Sequence, residues 1–252
     1  MTLDLEVILA AHGAGDDSPV NAAVRGLATQ LERRLVGARV CAAFHKGEPS
    51  YASAVRRATR TTRVVVPLLT SDGYHFARLQ RAVADADPSG LTRVTRPLGT
   101  DTVFVNAFGE RAAAQVDRLG VDRAMVRIIV VGHGTDRHPN SGVATTTVAA
   151  ALLALGFDQV RVAFLDEDPT VEAVMRAIMP HEYLVVVPFL IGLGDHVTQD
   201  LPARIAAGAP ANRVAFVAPI AELPTLAELI ERVIRNARLS RIGAELQAES
   251  AP

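Results

Sequence analysis

The chain repeats itself, and that constrains its fold more than any other property. His12 and His133 lie 121 residues apart, and so do Pro67 and Pro188, and His75 and His196. Phe44 and Phe164 lie 120 apart, as do Pro49 and Pro169, which puts a one-residue length change between Pro49 and Pro67. The matching text reads ILAAHGAG with IVVGHGTD, VCAAFHKGEPS with VRVAFLDEDPT, and VVVPLLTSDGYH with VVVPFLIGLGDH. The repeat marks two copies of one parallel α/β unit. The modules are expected at 1–119 and 125–240, with a connection near 119–126 and a polar tail over 241–252 that frays.

Inside each copy, short β-branched runs alternate with longer amphipathic stretches. Strands are expected near 5–11, 39–44, 63–69 and 92–97, and again near 127–132, 160–165, 183–190 and 213–218. Helices are expected near 18–36, 50–61, 76–86 and 102–118, then 140–155, 169–179, 198–207 and 222–238. Runs such as Val64-Val65-Val66 and Val185-Val186-Val187 suit strands buried on both faces. Strand–helix alternation at this spacing implies right-handed crossovers and parallel sheets. Pro67 and Pro188 cannot donate to a ladder and should mark strand ends. The expected fold is α/β: two tandem parallel-sheet lobes related by a pseudo-two-fold axis, with a cleft between them.

In open parallel sheets, ligands bind beyond the carboxyl ends of the strands. His12 and His133 follow directly on the first strand of their copies, and His75 and His196 lie just past the third. If the third strand neighbours the first, each pair converges on one rim. Asp166, Glu167 and Asp168 follow the second strand of the second copy at the same edge. Two imidazoles with a carboxylate make a borderline-hard set suited to Fe²⁺, Co²⁺ or Ni²⁺. A single histidine is more often a capping or hydrogen-bonding residue, but the matched offset in both copies argues against that reading here. His45 aligns with Leu165, and His138 and His181 have no histidine counterpart, so these three stand outside the set.

Other chemistries find little support. His12-Gly13-Ala14-Gly15 lacks the spaced-glycine fingerprint and the Lys-Ser/Thr of a phosphate loop, and no Gly-x-Ser-x-Gly elbow is present. A formal net charge of -1 offers no global field for nucleic acid. The single cysteine, Cys41, forms no internal disulfide and excludes a Cys-ligated iron–sulfur cluster in this chain. The start MTLDLEVILAAHG is acidic with a short apolar stretch, where a signal peptide is basic with a longer one, and no apolar run approaches membrane-spanning length. A cytoplasmic location without membrane association is expected.

The HG after the first strand, AF…P after the second and VVVPFLIGLGDHVTQDLP at the third resemble the class II chelatases of the CbiX type, the sirohydrochlorin cobalto- and ferrochelatases. The resemblance covers essentially the whole chain as two tandem modules. It implies insertion of a divalent cation, Co²⁺ or Fe²⁺, into sirohydrochlorin or a related acidic tetrapyrrole, with the metal as substrate and no permanent cofactor. It also implies that His133, Asp166 and His196 form the site of the second module. In the first module it carries over to His12 and His75. Lys46 stands where Asp166 would be, and Glu48 is the nearest carboxylate. Either module could hold the working centre, and ligand completeness favours the second. Arg78, Arg81, Arg137, His138 and Arg204 are candidate partners for the substrate's carboxylates. With both modules in one chain, a monomer is expected. The alternatives are a non-catalytic tetrapyrrole or metal carrier and a nickel chelatase.

Overall fold

The computed structural model describes residues 4–135, 138, 140, 142–190, 199–208, 213–218 and 226–249. The first repeat runs β1 (Leu5–Ala11), α1 (Pro19–Arg34), β2 (Arg39–Phe44), α2 (Tyr51–Arg57), β3 (Thr62–Leu68), α3 (Tyr74–Ala86), β4 (Thr92–Val94) and α4 (Thr102–Arg118). The second runs β5 (Val126–Gly132), α5 (Val143–Ala154), β6 (Val160–Phe164), α6 (Val171–Met175), β7 (Tyr183–Pro188), α7 (Leu201–Ala206), β8 (Val214–Phe216) and α8 (Leu226–Glu249).

Each repeat forms a four-stranded parallel sheet, ordered β2-β1-β3-β4 in one and β6-β5-β7-β8 in the other. The third strand does neighbour the first. Ala10 is opposite Pro67 and Val131 is opposite Pro188, so both prolines belong to the last rungs of their strands. The central strands are buried along their length: every residue of β1 is buried, and Leu9, Val66, Ile129 and Val186 are fully enclosed. Burying a side chain of this size stabilises by about 1.5–3 kcal/mol, so the two central pairs anchor each sheet. β5 shows the two-residue period. Ile129 and Val131 join a core with Ala163, Leu165, Val174, Leu190 and Ile205, and the intervening Ile128 and Val130 are buried outside that cluster.

The helices begin where the chain supplies side-chain caps. Ser18 accepts from Val20 N–H ahead of α1, with Pro19 at the first helical position. Ser50 before α2 and Thr170 before α6 occupy equivalent places and accept from Ser53 and Ala173 N–H. The Glu48–Pro49 and Asp168–Pro169 peptides are cis at those same turns.

The compact units divide the chain elsewhere than the repeat does. One comprises 1–68, 75–98 and 224–252, and the other 69–74 and 99–223. The last helix of each repeat therefore belongs to the unit built on the other repeat's sheet. α4 packs on α5 and β7, where Phe108 and Phe189 meet edge to face at 5.6 Å. α8 packs on β3 and α1, where Glu231 binds Arg34 at 3.3 Å and Arg93 donates to the Ala237 carbonyl at 2.8 Å. The modules 1–119 and 125–240 describe the sequence repeat and not the packing, because an amphipathic helix buries its stripe wherever a sheet face is open. A second difference lies in the last helix: α8 spans Leu226–Glu249 where a helix near 222–238 was expected, and the added stretch is rich in Arg, Leu, Ala and Glu, which are strong helix formers. The outer strands β4 and β8 are shorter than expected, at three residues each.

Cys41 is free and half-buried on β2, and burial pushes its thiol up to about 11, so it stays protonated at neutral pH. No helix among the described residues is long and apolar enough to cross a membrane.

Candidate metal centre

Past the ends of β1 and β2 the parallel ladder continues for two more rungs. His45 N–H donates to the Ala11 carbonyl at 3.1 Å, and Lys46 N–H donates to the His12 carbonyl at 2.7 Å. These rungs hold the His12 and His45 segments side by side. β3 flanks β1 on its other edge and leads into α3, which carries His75 in its first turn. The ring centroids lie 4.6 Å apart for His12 and His75, 5.3 Å for His12 and His45, and 5.9 Å for His45 and His75. One nitrogen from each can be chosen so that all three lie within 4.8 Å of one another. His12 and His45 are half-buried and His75 is exposed.

The His12 ring is oriented from behind. Its Nδ1 lies 2.9 Å from the Gly13 carbonyl, which only accepts, so Nδ1–H donates and the ring's lone pair is carried on Nε2. Burial, and then the charges of Arg78, His12 and Lys46, hold the His45 imidazole below its ordinary value and keep it neutral. Tyr51 stacks near His45 with centroids 6.5 Å apart and donates its hydroxyl to the Ala11 carbonyl at 2.7 Å, supporting the rung from below.

Asn21, fully buried on α1, ties the two loops together. Its Oδ1 accepts from Ala14 N–H at 3.0 Å, and its amide donates to the Lys46 carbonyl at 3.1 Å. Gly13 and Gly47 make room for this tie. A Cβ on Gly13 would fall 2.3 Å from the Lys46 carbonyl oxygen, and one on Gly47 would fall 2.3 Å from the Asn21 amide nitrogen. Both glycines also adopt positive φ, at 74° and 132°.

The second module repeats the ladder and changes the chemistry. Leu165 N–H donates to the Gly132 carbonyl at 3.2 Å, and Asp166 N–H to the His133 carbonyl at 3.0 Å. His133 Nδ1 lies 3.1 Å from the Gly134 carbonyl and 3.3 Å from Asp166 Oδ2, with both side chains about half exposed. Leu165, the counterpart of His45, is buried in the core. The loop tie is made by Glu167, which accepts from Thr135 N–H at 2.8 Å. Gly142 stands where the first repeat has Asn21, and a Cβ there would meet the Phe164 ring at 2.9 Å.

The sequence-expected residues thus divide. His12 and His75 come together, and so do His133 and Asp166. His196 and Arg137 lie outside the described residues. Glu48 is not in the histidine group. Its carboxylate accepts from Ser50 N–H at 3.1 Å, at the turn into α2. Arg204 donates to the Leu165 carbonyl at 2.9 Å and pairs with Glu172, a structural use. His45 joins the group instead. Its place directly after β2 follows the same strand-end rule that selected His12.

Two parallel sheets with histidines beyond their strand ends define the chelatase-like α/β class. Residues 6–115 and 127–237 each match the CbiX family. The chain belongs to the CbiX family. Among its relatives is a probable sirohydrochlorin cobaltochelatase of Halobacterium salinarum, 30% identical over 183 residues. That match spans 64% of this chain and 62% of that protein, less than two thirds of its length. The structure of CbiX, the terminal enzyme for biosynthesis of siroheme in denitrifying bacteria, superposes with a TM-score of 0.76 at 24% identity, covering 92% of this chain and 99% of that one. SirB from Bacillus subtilis with Fe³⁺ gives 0.74 at 17% identity, covering 96% and 98%. These likenesses establish the fold.

Proposed function

We propose that the chain is a metal chelatase that inserts Co²⁺ or Fe²⁺ into sirohydrochlorin or a related acidic tetrapyrrole in the cytoplasm, with the metal as substrate. The observation that carries this reading is the histidine group beyond the first sheet, where nitrogens of His12, His45 and His75 lie within 4.8 Å of one another in a CbiX-family chain. The name of the Halobacterium relative supports the choice of substrate.

Insertion exchanges one dication for two pyrrole N–H protons. The protein must strip water from the cation, hold it loosely and accept protons as the ring nitrogens take over. A neutral imidazole can hold the metal or take a proton, and several imidazoles on one rim divide those tasks. His12, with Nδ1–H directed at the Gly13 carbonyl, presents Nε2 for either role. A partly exposed group whose donors must draw together to close on an ion suits a metal that is delivered and released, unlike a closed tetrahedral structural site. His133 beside Asp166 is the corresponding pair of the second module, and His196 completes its expected set. One chain carries both modules, and the working unit is the monomer.

The test is direct. Purified protein mixed with sirohydrochlorin and Co²⁺ or Fe²⁺ is expected to accelerate the visible spectral change of metal insertion. Stoichiometric binding of the tetrapyrrole with insertion at the uncatalysed rate would instead make the protein a carrier.

A further inference from the structure

The two modules place different atoms against their first-strand histidine. In the first, position 45 reaches His12, and its ring lies 5.3 Å from that of His12. In the second, the equivalent Leu165 turns into the core and the next residue, Asp166, reaches His133. The carboxylate of one module is thus replaced in the other by an imidazole from the adjacent position. Lys46, at Asp166's place, is exposed and offers no carboxylate oxygen to a metal.

We infer that His45 is a third metal donor, which makes the first module's site nitrogen-only and biases it toward Co²⁺ and Ni²⁺ against oxygen-seeking cations such as Mn²⁺ and Mg²⁺. This rests on the metal-binding part of the chelatase reading. The geometry fits a small adjustment. Three nitrogens at bonds of about 2.0–2.1 Å to one tetrahedral ion stand roughly 3.3 Å apart. The present limit is 4.8 Å, and rotation of His75, the exposed member, draws the group inward. His12 and His45 are already fixed through their backbones by the two extra rungs and the Asn21 tie. Imidazole suits Fe²⁺, Ni²⁺ and Zn²⁺, and Co²⁺ stands between iron and nickel in the affinity order, whereas carboxylate and water suit Mg²⁺ and Mn²⁺. A donor group with no anionic oxygen among the described residues therefore discards the abundant hard cations that a carboxylate would admit. Nickel stays within its range, so discrimination between cobalt and nickel falls to supply or to the macrocycle.

The experiment titrates the full chain with Co²⁺ alone and with Mn²⁺ alone, without tetrapyrrole, in a His133→Ala, His196→Ala background that leaves one module to be read. Visible ligand-field absorption reports Co²⁺, and electron paramagnetic resonance of the free ion reports Mn²⁺. His45→Ala is expected to weaken Co²⁺ at least about tenfold, as losses around a metal centre do. His45→Glu is expected to retain Co²⁺ but lower the Co²⁺-to-Mn²⁺ affinity ratio by about tenfold or more. Co²⁺ affinity within twofold of the background in His45→Ala, or an unchanged ratio in His45→Glu, would overturn the assignment. Insertion enters neither arm. A protein that binds Co²⁺ as stated yet fails to insert it would sink the chelatase reading and leave His45 a ligand.

Discussion

Gly13 and Asn21 touch no metal, yet they set where His12 and His45 stand. Asn21 uses both ends of its amide across the two loops, and removing it takes the acceptor from the part-buried Ala14 N–H and leaves the Lys46 carbonyl with the Gly15 N–H at 3.1 Å. Asn21→Ala is expected to cost about 1–3 kcal/mol in urea unfolding, the usual penalty for a buried group left unmade. It should also weaken Co²⁺ binding. Gly13→Ala should do more damage to the site, because the added Cβ meets a backbone oxygen at 2.3 Å and the φ of 74° is unfavourable for alanine. Wild-type stability and Co²⁺ affinity in both variants would mean that the loops hold themselves. At this scale the sequence was only partly legible. His12 and His75 stood out because the repeat doubled them. His45 did not, because the repeat puts Leu165 opposite it, and internal matching hides whatever differs between the copies. Asn21 and Glu167 were hidden for the same reason: they perform one task from different elements.

Helices and strands were easier to place. The buried strands announce themselves as β-branched runs, and the boundaries of β1, β2 and α4 agree with the pattern because each ends at a change of polarity or at a cap. The short outer strands β4 and β8 gave weaker signals, since only a few rungs pair them to β3 and β7. The destination of α4 and α8 was not legible at all. An amphipathic stripe specifies that a helix is buried, and not which sheet buries it. One element carries an avoidable defect. Gly26 lies in the middle of α1, and a Cβ built there meets nothing within 4 Å. Gly26→Ala is expected to stabilise the protein by about 0.5–1 kcal/mol through helix propensity, raising Tm without altering metal uptake. A fall in Tm would show that α1 depends on an arrangement that alanine disturbs.

On the scale of the whole molecule, duplication gave the chain two strand-end histidine sites and let them diverge. One kept a carboxylate beside its histidine, and the other holds three imidazoles. Completeness of the family's ligand set favoured the second module when only the sequence was considered. Among the described residues, which leave out His196, three nitrogens gather beyond the first sheet, and that module is the proposed place where the metal is handed over. The most direct measurement is the single-turnover rate of Co²⁺ insertion into sirohydrochlorin by His12→Ala and His133→Ala, each checked for wild-type unfolding. The account predicts that His12→Ala slows insertion roughly a hundredfold to ten-thousandfold, the range for loss of a positioned base. His133→Ala should stay within about tenfold of the wild type. A near-normal rate in His12→Ala, with the loss falling on His133→Ala instead, would contradict it.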